Sequence, residues 1–161
     1  MIAAGATVNA RGGMRVVRGA SLLSRAVGRL LRLPDATADA EVLLTIARAD
    51  GVERWRRTFN GVGFSSEQRE IAPGLIAERF RALEFHFRVE PIDGATRYRQ
   101  IGVCICAGPV RLALPAMLAP SVEGVERPAG PSALNVRVRV TWPPAGLILE
   151  YDGDVHIEDH A

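Results

Sequence analysis

Asp50-Gly51-Val52-Glu53-Arg54-Trp55-Arg56-Arg57-Thr58-Phe59-Asn60-Gly61 is the stretch whose reading sets the fold class. Asp-Gly and Asn-Gly favour two-residue hairpin turns, because both central residues of such a turn need a positive φ. Between the two turns the strand period of two places Trp55, Arg57 and Phe59 on one face. A second segment, Ile76-Ala77-Glu78-Arg79-Phe80, places Ile76, Glu78 and Phe80 on one face in the same way. Each segment thus carries a charge flanked by large apolar residues. If these faces are interior, Arg57 and Glu78 are both inside, and a buried charge is costly unless it is paired and hydrogen-bonded. Either the two meet each other, or they line a cavity that a polar ligand or water enters.

The same punctuation continues outward. Val42, Leu44 and Ile46 alternate before the first turn. Pro73-Gly74 precedes the Glu78 segment, and Leu83, Phe85, Phe87 and Val89 then alternate with Glu84, His86, Arg88 and Glu90. Asp93-Gly94 turns the chain into a strand over 98–105. Val136, Val138 and Val140 alternate with Arg137, Arg139 and Thr141, and Leu147, Leu149 and Tyr151 begin the last strand region. Close-spaced turns between alternating runs predict an antiparallel meander rather than βαβ units. About eight or nine strands are expected, curling into a barrel-like or two-layer structure. The segment 108–120, bracketed by Pro109, Pro115 and Pro120, reads as an apolar loop with at most one helical turn, placed to act as a plug or lid.

The fold class is therefore mainly β (α+β), with one N-terminal amphipathic helix. Over 21–33, Leu22, Leu23, Ala26, Val27, Leu30 and Leu31 recur at helical spacing, Ser21 is the expected N-cap, and Pro34 stops the helix. Arg25, Arg29 and Arg32 occupy the remaining surface. Such a helix either lies on anionic lipid or packs its leucines on the sheet with its arginines wet. The need to cover a curved sheet favours packing. Residues 1–17 are expected to be flexible or partly paired, with any strand confined to 14–17, and 18–161 to form a single β-rich domain.

Composition sets further bounds. All twenty basic residues are arginine, so Schiff-base chemistry and the P-loop lysine are excluded. Residues 1–33 hold six arginines and no acid, whereas the remainder has fourteen arginines against eighteen acids. This is not the globally basic surface of a nucleic-acid binder. Arginines interrupt every apolar run of the N-terminus, so neither a secretory signal nor a membrane span is expected, and the cytoplasm is the default location. Cys104 and Cys106 are the two cysteines. They share a strand face at about 6.6 Å between Cα atoms, near the upper limit for a disulfide, and read as small buried residues rather than zinc ligands. His86 and His156 fall on the polar phase of their strands, and His160 lies in the tail. Ser65-Ser66 carries no nucleophile signature. Glu123 and Glu126 are expected on a solvated face. No metal, cofactor or catalytic residue is indicated.

Several of these motifs, taken in order, resemble a bacterial domain-of-unknown-function family, the one numbered 4166. They are Trp55-x-Arg57-x-Phe59 with Gly61 and Phe64-Ser65, then Leu75-x-x-Glu78-Arg79-Phe80, then Leu114-Pro115 with Leu118-Ala119-Pro120 and Glu123, and Pro143 with Gly146 and Tyr151-x-Gly153. The helix ending Leu31-Arg32-Leu33-Pro34 also matches the family's opening segment, so the resemblance spans about residues 14–158. One departure is Arg81, where the family tends to carry glycine. The resemblance implies a domain found alone or behind nicotinamide-dependent, saccharopine-dehydrogenase-like or epimerase-like modules, and hence a partner oxidoreductase. It brings no catalytic residues.

The expected function is a non-catalytic ligand-binding or accessory domain with an apolar interior. Trp55, Phe59, Phe80, Phe85 and Phe87 are its candidate lining, Arg57 and Glu78 its polar anchors or a buried ion pair, and an apolar or amphipathic small molecule its ligand. The alternative is a filled-core interaction domain that docks to the oxidoreductase. An enzyme would need a titratable cluster in a cleft.

Overall fold

The computed structural model describes residues 5–158. Eleven strands and one helix follow one another as β1 (Thr7–Arg18), α1 (Leu22–Leu30), β2 (Thr37–Ala49), β3 (Val52–Phe59), β4 (Val62–Ala72), β5 (Leu75–Phe80), β6 (Leu83–Ile92), β7 (Ala95–Ala107), β8 (Val110–Ala113), β9 (Ser121–Pro128), β10 (Ala133–Trp142) and β11 (Gly146–Glu158). β6 through β1 pair in sequence order, β1 pairs with β11, and β10, β9 and β7 follow. β7 then closes on β6. The result is a closed antiparallel barrel of ten strands, with β8 as an eleventh strand on the C-terminal half of β7. Closure of the ten strands removes the edges a long meander would otherwise present, and the four-residue β8, paired on one side only, is the short edge that remains among the described residues.

The turns form as their residue types predict. Asp50 and Gly51 take φ of 51° and 76°, Asn60 and Gly61 take 47° and 82°, and Asp93 and Gly94 take 49° and 73°. Two successive positive φ angles give the turn whose twist matches the flanking strands. Arg81 also sits in the left-handed region, at φ 56°. Its guanidinium lies 5.7 Å from the Phe80 ring centre and donates to the Leu31 carbonyl at 3.2 Å, which ties the β5–β6 turn to the end of the helix.

Eleven strands exceed the expected eight or nine, and three segments account for the difference. β1 runs from Thr7, well before 14–17, and pairs with both β2 and β11. Its glycines give the segment an irregular look in the sequence, yet they permit a close approach. A Cβ on Gly12 would lie 1.8 Å from the Asp154 carbonyl oxygen, and one on Gly153 would lie 2.2 Å from that of Gly13. Within 108–120, residues Val110–Ala113 form β8 instead of a loop, and the chain then turns with the Leu118 and Ala119 amides donating to Pro115 O. Pro109, Pro115 and Pro120 sit in the connections on either side, which is where proline leaves a ladder intact. β9 follows at once. His160 lies outside the described residues.

α1 is shorter than 21–33. Ser21 caps it, accepting from Ser24 N at 3.1 Å and donating to Ala145 O at 2.7 Å. It ends at Leu30 because Arg32 turns left-handed, at φ 52°. Arg18 closes the exit by donating to Leu33 O and Pro34 O. Gly28 makes room for that guanidinium, which would come within 1.2 Å of a Cβ. The face turned inward is therefore Ser24, Val27, Gly28 and Leu31. The expectation that the leucines pack on the sheet is corrected: Leu22 and Leu30 point to solvent.

The interior has two packed walls. One joins Met14, Val16, Val42, Phe59, Leu149, Tyr151 and Val155, and the other joins Ile76, Phe85, Phe87, Val103 and Ala119. Space remains between them.

Candidate functional site

That space is a cavity of about 460 Å³ inside the barrel. Val27, Leu31 and Leu33 from the helix region roof one end, together with Trp142 from β10 and Leu114 and Leu118 from the β8–β9 connection. Two side chains hold that connection in place. The Trp142 indole donates to Leu118 O at 2.9 Å. Gln100 donates to Pro120 O at 2.9 Å and accepts from Val122 N at 2.7 Å. Gln100 thereby acts as a surrogate peptide group where β9 has not yet begun its backbone pairing with β7.

Trp55, Phe80, Phe85 and Phe87 line the cavity. Phe59 lies behind its wall, buried, stacked on Phe64 at 5.8 Å and tilted on Tyr151 at 5.1 Å. It supports the lining instead of forming it.

Arg57 and Glu78 come together through a third residue. The Arg57 guanidinium donates to Ser66 Oγ at 2.9 Å, and Ser66 Oγ donates to Glu78 Oε1 at 2.6 Å. The direct approach of Arg57 Nη2 to Glu78 Oε1 is 3.7 Å. These residues lie on β3, β4 and β5, and Ser66 faces Trp55 in the ladder, so the chain follows a diagonal across three adjacent strands. Trp55 and Phe64 flank the guanidinium, which sits 4.8 Å and 5.8 Å from their ring centres. Such faces favour a cation. Ser66 uses its proton and accepts the arginine, so the trio is a satisfied polar bridge and not a poised nucleophile.

Opposite this bridge, Tyr98 donates to Glu126 Oε2 at 3.1 Å. The expectation of a solvated Glu126 is corrected: it faces the cavity, while Glu123 is exposed. Val122-x-Gly124-x-Glu126 has the strand period, a signal that goes unused unless β9 is recognised. Burial pushes the Glu126 carboxyl up from the usual range, with the nearby Glu78 charge adding to it, and this outweighs the Tyr98 hydrogen bond and the charge of Arg57. Burial, then the charge and hydrogen bond of Glu126, likewise push the Tyr98 phenol up. A carboxyl whose folded-state value is raised loses stability as pH climbs through the ordinary glutamate range to the raised value. Glu126→Gln keeps an acceptor for Tyr98 and cannot ionise. It is expected to raise Tm at pH 8, with the gain shrinking as pH falls from the raised value down to the ordinary glutamate range. Thermal melts across pH check this, and a Tm lowered at pH 8 would contradict it.

A second polar cluster lies on the outer face of the barrel. Glu84 is 1 % exposed and meets Arg111 at 2.7 Å, His86 at 3.0 Å and Arg69 at 3.1 Å. Burial alone would raise its carboxyl, but the His86 hydrogen bond and the charges of Arg69 and Arg111 win and hold it below the usual range. Cys104 and Cys106 are buried free thiols with sulfurs 3.8 Å apart. With Glu84 they form the grouping whose potential metal-ligand atoms lie within 4.8 Å of one another among the described residues. The carboxylate of that grouping is already engaged by its arginines and histidine, so a cation would have to displace them. His156 is exposed. Among the described residues, no helix is long and apolar enough to cross a membrane.

Fold and cavity together define a closed antiparallel β-barrel with a helix-roofed, largely apolar interior and a polar band across it. The chain belongs to the family described as "Domain of unknown function (DUF4166)", whose model matches residues 1–155. No curated protein and no solved structure matches it.

Proposed function

We propose that this domain is a non-catalytic carrier or sensor of a small amphipathic molecule held inside the barrel. The observation that carries the reading is the cavity itself. Its volume of about 460 Å³ falls within the roughly 300–1,000 Å³ of small-molecule sites, and its lining is aromatic and aliphatic with a few convergent polar groups. The apolar part of the ligand would lie under the helix, among Leu31, Leu33, Phe80 and Trp142. Its polar end would face Glu78, Glu126 and Tyr98. Arg57 is engaged by Ser66 and Glu78, and two carboxylates face the cavity against this one arginine. The polar wall therefore suits an uncharged or cationic head group better than a carboxylate or phosphate.

Titration with decanol, followed by calorimetry, tests the reading. Val138 lines the cavity on β10, and Val138→Trp fills part of it. Wild type is expected to bind one decanol, and the variant to bind it at least about tenfold more weakly while keeping its melting temperature to within a few degrees. Equal binding by both proteins, or none by wild type, would contradict the proposal.

A further inference from the structure

The helix that roofs the barrel turns its leucines the wrong way for a simple cover. Leu22 is 82 % exposed and Leu30 is 78 % exposed. With Ala26, also exposed, they form a row at intervals of four along the outer side of α1. Met117, 75 % exposed, and Leu118, 55 % exposed, stand at the same end of the barrel, where Leu118 meets Trp142. An exposed apolar surface of this kind marks an interaction site when charged residues rim it.

The charge along the helix is mostly of one sign. Arg25, Arg29 and Arg32 run beside the leucine row, all exposed, and α1 has no acid in its first turn. Arg81 joins them, held to the end of the helix by its bond to Leu31 O. Asp35 is the first acid in the chain, and it shares a shallow groove with Arg18, Arg25, Arg29 and Arg32, where the arginines outnumber it four to one. Leucines on one stripe and arginines on the next are the two halves of an interfacial helix: apolar side chains enter the acyl boundary while guanidinium groups meet lipid phosphates. The inner side of the same helix contributes Val27 and Leu31 to the cavity.

We propose that this end of the barrel docks on an anionic lipid bilayer through the outer face of α1, with Leu22 and Leu30 inserted and Arg25, Arg29 and Arg32 on the phosphates. The cavity then lies directly beneath the helix that meets the bilayer. The docking stands on exposed residues alone and does not depend on what the cavity holds.

Co-sedimentation with large vesicles tests this directly. Wild type is expected to pellet with vesicles of phosphatidylcholine containing phosphatidylglycerol, and to stay in the supernatant with phosphatidylcholine alone. Reversal of all three arginines, Arg25→Glu with Arg29→Glu and Arg32→Glu, is expected to weaken partitioning on the order of a hundredfold. The double variant Leu22→Glu with Leu30→Glu is expected to lose binding as well. Every substituted side chain is exposed, so melting curves close to wild type are expected and separate lost docking from lost folding. Wild type remaining in the supernatant with both vesicle types would overturn the proposal. So would pelleting that arginine reversal leaves unchanged, or capture by a protein partner through this face with no affinity for vesicles.

Discussion

Arg57→Ala is expected to destabilise the barrel by about 3–5 kcal/mol. Arg57 and Glu78 are 15 % and 23 % exposed at their side chains, so little water reaches either. Removing the guanidinium leaves Glu78 with Ser66 alone and takes the cation from between Trp55 and Phe64. The cost arises mostly from the uncompensated carboxylate rather than from the lost attraction. The double variant Arg57→Ala with Glu78→Gln should therefore recover part of the loss. Urea unfolding at neutral pH measures both. A loss below about 1 kcal/mol for the single variant, the scale of an exposed pair, would mean that the bridge is solvated.

The second large effect is expected at Gly12. Alanine there places a methyl group 1.8 Å from the Asp154 carbonyl oxygen and 2.9 Å from the Val155 Cα. Neither atom belongs to a flexible side chain, so β1 and β11 must separate, and a cost of about 3 kcal/mol or more follows. Gly102→Ala is the matched control, because its Cβ would meet only the His86 ring at 3.9 Å. That change is expected to be neutral or to stabilise by up to about 1 kcal/mol. Urea melts that place the two variants within error of each other would contradict the register between β1 and β11.

Much of the barrel is legible in the sequence because its hairpins are local. Asp50-Gly51, Asn60-Gly61 and Asp93-Gly94 form the turns their residue types specify, joining β2 to β3, β3 to β4 and β6 to β7. What is not legible lies where long-range geometry decides. Gly12 and Gly13 weaken the strand pattern of β1, yet Gly12 is what the close contact with β11 requires. The prolines around β8 and β9 hide strands that begin just beyond them. The helix pattern gives a helix but not its orientation: Ser24, Val27, Gly28 and Leu31 face inward while Leu22 and Leu30 face out, and Gly28 is small because the Arg18 guanidinium lies against it.

The cavity wall divides in the same way. Arg57 and Glu78 stand out as charges on apolar faces, and the structure places them two strands apart, on β3 and β5, bridged by Ser66 on β4. Ser66 shares the phase of Phe64 and could be found by that period. The encounter of Tyr98 with Glu126 is harder to read, since it joins β7 to β9, and the strand period of β9 is short and hidden behind the prolines before it.

The central claim is that the barrel encloses one small amphipathic molecule. Native mass spectrometry of the purified protein, repeated after solvent extraction and again with added decanol, tests it most directly. The account predicts a one-to-one complex: either a mass excess that extraction removes, or a bare chain that takes up a single decanol. A bare-chain mass throughout, with no adduct at any decanol concentration below that causing unfolding, would contradict it.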